Sequence, residues 1–271
     1  MSSDIREWLN LALRWFHVFA GILWVGQTYY FTWLDGQFGK AEKNATDGKP
    51  SPVWMVHSGG FYTVEKQKSL GVAPELVRWF RWEALLTWLS GLALLGLMYY
   101  SSSGLIDQDV ANISQGRGIA IGLAVIVVGW VIYDFAVRSP LAKSEFAFAA
   151  FAFVMTAVAS SGLLHVLSAR AAYLHVGAVF GTIMTINVWM RILPAQRRMI
   201  AAAAKGESFD PKLSAQAKLR SKHNTFMAVA VVFLMISNHY PVATYGNTYS
   251  WEILLALVLL GWLAAKIIRS A

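Results

Sequence analysis

Six histidines and no cysteine set the chemistry open to this sequence of 271 residues. Without cysteine there is no disulfide, no iron-sulfur cluster and no C-x-x-C-H site for covalent haem, so imidazole is the main metal-ligating group left. His17 lies within "RWFHVFAGILWVGQ", an apolar stretch in which an imidazole has no water to bond. His165, His175 and His239 fall at the ends of three other apolar runs, and His57 and His223 lie in or beside polar connections. Ionisable groups at membrane depth are rare and mark relays, pathways or ligands. Imidazole is the usual axial ligand of non-covalent haem.

The elements that must position these residues are transmembrane helices. The chain is 56% hydrophobic and only 14% charged, and a spanning helix needs roughly 20 mostly apolar residues. Seven such runs stand at about 9–34, 79–100, 118–138, 145–167, 170–192, 223–240 and 250–268. The predicted fold is an all-α polytopic bundle, a single integral membrane domain with connections at about 35–78 and 193–222. The second connection is expected to be a basic helix continuing the fifth span, a turn at Gly206 to Pro211, and another basic helix entering the sixth. The first apolar run is too long for a cleavable signal.

Charge orients the bundle. Of 23 basic residues, only Arg6, Arg14, Arg117 and Arg170 lie on one side, which leaves 19 on the other. Basic loops stay in the cytoplasm, so the amino terminus is expected outside and the carboxyl terminus inside. Loops facing anionic lipid account for the net charge of +8 and no nucleic-acid partner is implied. The bilayer is the partner that the composition demands.

With that topology, His17, His165, His175 and His239 come from four helices toward the outer leaflet. His17, Gly21 and Trp24 share one helical face, and His175, Ala178, Thr182 and Thr185 share another, so small residues lie beside the ligand candidates. The expected cofactor is haem b, its iron held by His17 and His175, with His165 or His239 as alternatives. Interhelical hydrogen bonds to carbonyls or hydroxyls are the competing use of these rings, and a zinc or copper site is a third.

The opposite side offers a second cluster. Gly59 and Gly60 let backbone amides approach a ligand, Lys66 and Arg81 hold an anionic oxygen, and His57, Glu83 or His223 move a proton. Snorkelling to the interface is the plainer role for the basic residues. Glu83, several residues into a span, needs a partner, for which Arg81, Lys66 and His57 are candidates.

The blocks "LRWFHVFAGILWVGQTYYFTWLD", "HSGGFY", "RWEALLTWLSGLALL", "HVGAVFGTIMTINVWMRILPAQRRMI" and "SKHNTFMAVAVVFLMISNHYP" resemble the membrane domain of the bacterial membrane-bound urate hydroxylases, also called cytochrome c urate oxidases. The resemblance implies a protein of the bacterial inner membrane that oxidises urate to 5-hydroxyisourate and passes electrons to cytochrome c. Members of that family commonly carry a cytochrome c domain after the membrane part. This sequence ends at Ala271 without a haem c motif, so a separate cytochrome c or other electron carrier is the expected acceptor. The alternatives are a quinol-linked or porphyrinogen-oxidising haem protein, and a non-catalytic subunit of a larger membrane complex.

Overall fold

A computed structural model describes residues 2–45, 51–67 and 78–270 of the chain. It is a bundle of helices with one small hairpin. In order these are α1 (Ser3–Asn44), β1 (Val53–His57), β2 (Gly60–Val64), α2 (Trp82–Leu95), α3 (Gln115–Arg138), α4 (Glu145–Leu164), α5 (Ala169–Ile186), α6 (Leu193–Ala204), α7 (Pro211–Ile236) and α8 (Ser250–Ser270). Among the described residues, six helices are long and apolar enough to cross a membrane: α1, α2 with its extension to Tyr100, α3, α4, the continuous α5–α6 rod and α8.

The expected sixth span is carried by α7, which is not among the six. Its first half holds the polar "SKHN" segment and the helix proper stops at Ile236, short of the predicted end at 240. Its other half is packed in the centre, with Ala228, Ala230 and Leu234 buried. A helix surrounded by protein satisfies its polar residues from its neighbours and needs less apolar surface.

Local chemistry fixes the helix starts. Ser114, Ser144 and Ser168 each accept a hydrogen bond from the backbone N–H three residues on, at 3.4, 3.2 and 3.3 Å, and so satisfy one of the donors left free at the starts of α3, α4 and α5. Asp210 does the same for α7 through Lys212 N at 2.9 Å. Gly206, with φ of +70°, makes the turn between α6 and α7.

The layers are unequal. In α5, 56% of the most apolar window is buried, against 6% in α1, so α5 is the central column and α1 a peripheral one. The main core joins Ile126, Leu163, Tyr173, Val176, Phe180 and Leu234 from four helices. Two helices change winding. α2 continues as a π-helical turn over Gly96–Tyr100, and α5 passes through another over Asn187–Ile192 before α6. Such turns insert a residue and redirect side chains.

The connection after the first span is ordered differently from a simple loop. α1 runs on to Asn44, and β1 pairs antiparallel with β2 in register His57↔Gly60. The hairpin turn is Ser58-Gly59, both with positive φ (51° and 77°), the requirement of a tight two-residue turn that follows the strand twist. Tyr30 on α1 reaches Met55 Sδ at 3.1 Å and ties the hairpin to the helix.

Candidate functional site

The seam between α1 and α2 holds the first polar constellation. On α1, Gly21 faces Thr87 of α2, and on α2 Gly91 faces His17. A β-carbon at Gly91 would stand 3.0 Å from Cε1 of the imidazole, so glycine is what admits the ring. His17 Nδ1 lies 2.9 Å from the Thr87 carbonyl and 3.0 Å from Ser90 Oγ. A carbonyl only accepts, so Nδ1 carries the hydrogen and the neutral ring keeps its lone pair on Nε2. A histidine whose other nitrogen donates to a carbonyl is arranged as metal-ligating histidines are.

His175 is held otherwise. It is wholly buried, its Nδ1 is 2.7 Å from the Ala171 carbonyl, and its Nε2 is 3.0 Å from the Tyr100 hydroxyl. A β-carbon at Gly122 would come within 2.4 Å of Nε2, so the ring is closed in by α3. His17 touches α2 at Ser90 and His175 touches its extension at Tyr100, ten residues further on, which is ~15 Å along the axis. The structure does not bring these two rings to one iron. His165 is exposed and bonded to its own helix at the Ser161 carbonyl (2.7 Å), and His239 is exposed at the end of a 3-10 turn. Among the described residues no three His, Asp or Glu side chains gather in a geometry that would hold a metal ion.

At the head of α2 the seam continues into the second constellation. Glu83 is buried, and Arg78 Nη2 donates to its Oε1 at 2.8 Å. Among the described residues its Oε2 is buried without a hydrogen-bond partner, although the Gln27 amide of α1 interacts with the same carboxylate. Two residues earlier, Arg81 Nε is also buried without a partner among the described residues. The Arg81 guanidinium lies over the rings of Trp82 and Trp189, 5.3 and 5.7 Å from their centroids, and Trp189 Nε1 donates to the Arg81 carbonyl at 3.2 Å. Trp189 belongs to the π-helical turn of α5. A buried donor and a buried acceptor left unpaired each cost free energy, and Trp82 and Trp189, edge to face at 5.6 Å, pack with the Arg81 guanidinium.

The other members of the expected cluster lie elsewhere. His57 is exposed at the end of β1 and bonds Ser58 Oγ at 2.9 Å. Gly59 and Gly60 serve the hairpin turn. Lys66 is paired with Asp35 at the far end of α1. His223 belongs to a separate network: its Nδ1 is 2.9 Å from the Tyr133 hydroxyl, and its ring stacks on Phe148 at 4.5 Å and 10°.

That network contains residues which sequence reasoning missed. Asp134, 7% exposed, receives Arg191 Nε and Nη2 at 3.0 and 2.6 Å, Arg220 Nη2 at 2.7 Å and Arg138 Nη2 at 2.5 Å. Arg220 also donates to Asn187, which donates to Tyr133. One carboxylate thus holds three guanidiniums from α3, the π-helical turn and α7. Arg191 and Arg220 are among the 19 basic residues that charge counting assigns to one side of the bilayer, yet here they hold a buried carboxylate. The available signal was Asp134 itself, a lone carboxylate inside the run 118–138 that must find a cation.

Searches against curated proteins and against solved structures find no match. From residue 3 to residue 270 the chain matches, and on that ground belongs to, the urate oxidase N-terminal family.

Proposed function

We infer that the chain is the membrane-embedded part of a urate-oxidising system and that urate binds at the head of α2. The observation that carries this is Arg81, whose guanidinium lies over Trp82 and Trp189 with its Nε buried and unpartnered among the described residues, two residues before the buried carboxylate of Glu83. Urate is a planar purine, largely an anion at neutral pH, with N–H donors and carbonyl acceptors on its edges. Arg81 binds the anion and offers a hydrogen bond, the indoles cover a face, and Glu83 accepts a proton from a ring N–H or from water. The reaction balances as urate plus water giving 5-hydroxyisourate, two protons and two electrons.

His17 touches α2 at Thr87 and Ser90, four and seven residues beyond Glu83, a rise of about 6 to 10 Å. A b-type haem held by His17 Nε2 would supply one-electron carriage beside the substrate. Thr87 and Ser90 orient the imidazole, and Gly91 leaves it room. The family resemblance supports cytochrome c as an external acceptor, and the asymmetry of basic residues supports the bacterial inner membrane with the amino terminus outside.

The test is a reduced-minus-oxidised spectrum of the protein purified after haem-replete expression, before and after urate. A Soret band that shifts on urate addition and is lost in His17→Ala is expected. Haem that urate leaves oxidised removes urate as the donor, and absence of haem removes the cofactor.

A further inference from the structure

A cavity of about 840 Å³ lies between α3, α4, α5, α7 and α8, away from the α1–α2 seam, and its walls are mostly apolar. On its outward side stand Val128, Phe146 and Val158, all exposed on the surface that meets lipid. At its polar end is His223, and the hydrogen-bond directions behind that ring are fixed by a residue with no choice. A guanidinium only donates, so Arg220 Nη1 donates to Asn187 Oδ1 at 2.9 Å. The Asn187 amide nitrogen therefore donates to the Tyr133 hydroxyl oxygen and to Asn224 Oδ1, both at 2.9 Å. Tyr133 in turn donates its hydrogen to His223 Nδ1. A neutral imidazole accepting at Nδ1 carries its hydrogen on Nε2. The buried chain from Asp134 through Arg220, Asn187 and Tyr133 thus ends in an N–H donor at an apolar cavity open to the bilayer.

We propose that this cavity binds a lipophilic quinone, its ring carbonyl accepting the His223 Nε2 hydrogen and its tail lying along the apolar walls. A donor in an apolar cleft calls for a carbonyl on an apolar molecule, and entry between helices calls for a ligand dissolved in the membrane. Phe148, stacked on His223, covers one face of the imidazole and holds its plane. An anionic phospholipid is the competing occupant, since Lys266 and Arg269 stand on the rim. A phosphate would be held by those cations and Lys222 at the rim, whereas the apolar walls that fill the rest of the cavity suit a ring and its tail. In this role the quinone, in place of cytochrome c, takes the two electrons and two protons that urate oxidation releases, so that urate, water and quinone give 5-hydroxyisourate and quinol. The donor half of that step rests on the urate reading, and quinone binding does not.

The test titrates decylubiquinone into the protein held in nanodiscs of phosphatidylcholine. His223→Phe, which keeps the stacking and removes the donor, is expected to weaken binding about tenfold, the order of one buried hydrogen bond. Ala152→Trp, which fills the cavity from α4, is expected to abolish binding while thermal unfolding of the bundle stays cooperative. Binding unchanged in Ala152→Trp overturns the proposal whatever the fate of the histidine variant. So does displacement of decylubiquinone by an equal concentration of phosphatidylglycerol, which assigns the cleft to lipid. Quinone that binds but is not reduced by urate removes the urate donor and leaves the site standing.

Discussion

His17 of α1 donates its Nδ1 hydrogen to the Thr87 carbonyl of α2 across 2.9 Å, while Gly91, one turn further along α2, leaves the space that the imidazole fills. This contact fixes three things together: the tautomer of the ring, the approach of the two helices, and the position of a ligand-competent nitrogen of α1 against the helix that carries Glu83.

His17→Ala and His175→Ala are expected to separate cofactor from fold. The first removes the Soret band and leaves the helical circular dichroism unchanged, because His17 is only partly buried at the bundle's edge. The second retains the band and lowers stability by about 1 to 3 kcal/mol, since Tyr100 loses its partner in the core. Thermal melts with absorbance spectra on the same samples read both, and a Soret band lost only in His175→Ala would reverse the assignment.

Gly122→Ala places a methyl carbon 2.4 Å from His175 Nε2, and Gly91→Ala places one 3.0 Å from His17 Cε1. The first is expected to cost about 1 to 3 kcal/mol through forced displacement of a wholly buried ring. The second costs less, because His17 can yield toward the exposed side of α1. Unfolding in graded denaturant, in detergent, orders the two variants, and equal stability would contradict the packing described for α3 and α5.

At the head of α2, Arg81→Ala is expected to raise KM for urate by tenfold or more with a smaller change in kcat, through loss of a charge-assisted contact. Glu83→Gln keeps the shape and is expected to lower kcat by about 10²-fold or more while KM changes little. Steady-state rates with cytochrome c or a dye acceptor measure both. Lys66→Ala and His57→Ala serve as controls, since both residues lie away from this site, and a fall in kcat for either would bring the hairpin back into the mechanism.

Asp134→Asn leaves Arg191 and the nearly buried Arg220 without their anion. Removing one partner of a buried ion cluster costs about 3 to 5 kcal/mol, so this variant is expected to be recovered poorly or unfolded. Arg138, half exposed, is expected to be replaceable by Ala for less than about 1 kcal/mol. Arg191→Lys is expected to lie between, because an ammonium cannot reproduce the two-point contact with the carboxylate. Yield and melting temperature of the three variants give the order.

Much of the fold was legible because span length and hydropathy are local properties. The runs at 9–34, 79–100 and 118–138 needed only counting, and the Gly206 to Pro211 turn followed from glycine, proline and the capping Asp210. The sixth span was harder, since α7 is buffered by its neighbours and its polar residues are satisfied inside the protein. The hairpin was hidden within a connection whose glycines invited a ligand-binding interpretation, whereas their φ values serve a turn.

By itself the sequence determined a helical membrane bundle, the absence of thiol chemistry, and the residue types open to redox work, because each depends on composition and short-range pattern. Tertiary structure alone decided which groups meet. Depth along a helix and the direction of a side chain separate His17 from His175, bring Arg81 to Trp189 in the π-helical turn, and gather Arg191 and Arg220 on Asp134. These are relations between residues far apart in the chain, set by how helices pack, and no spacing within one helix encodes them.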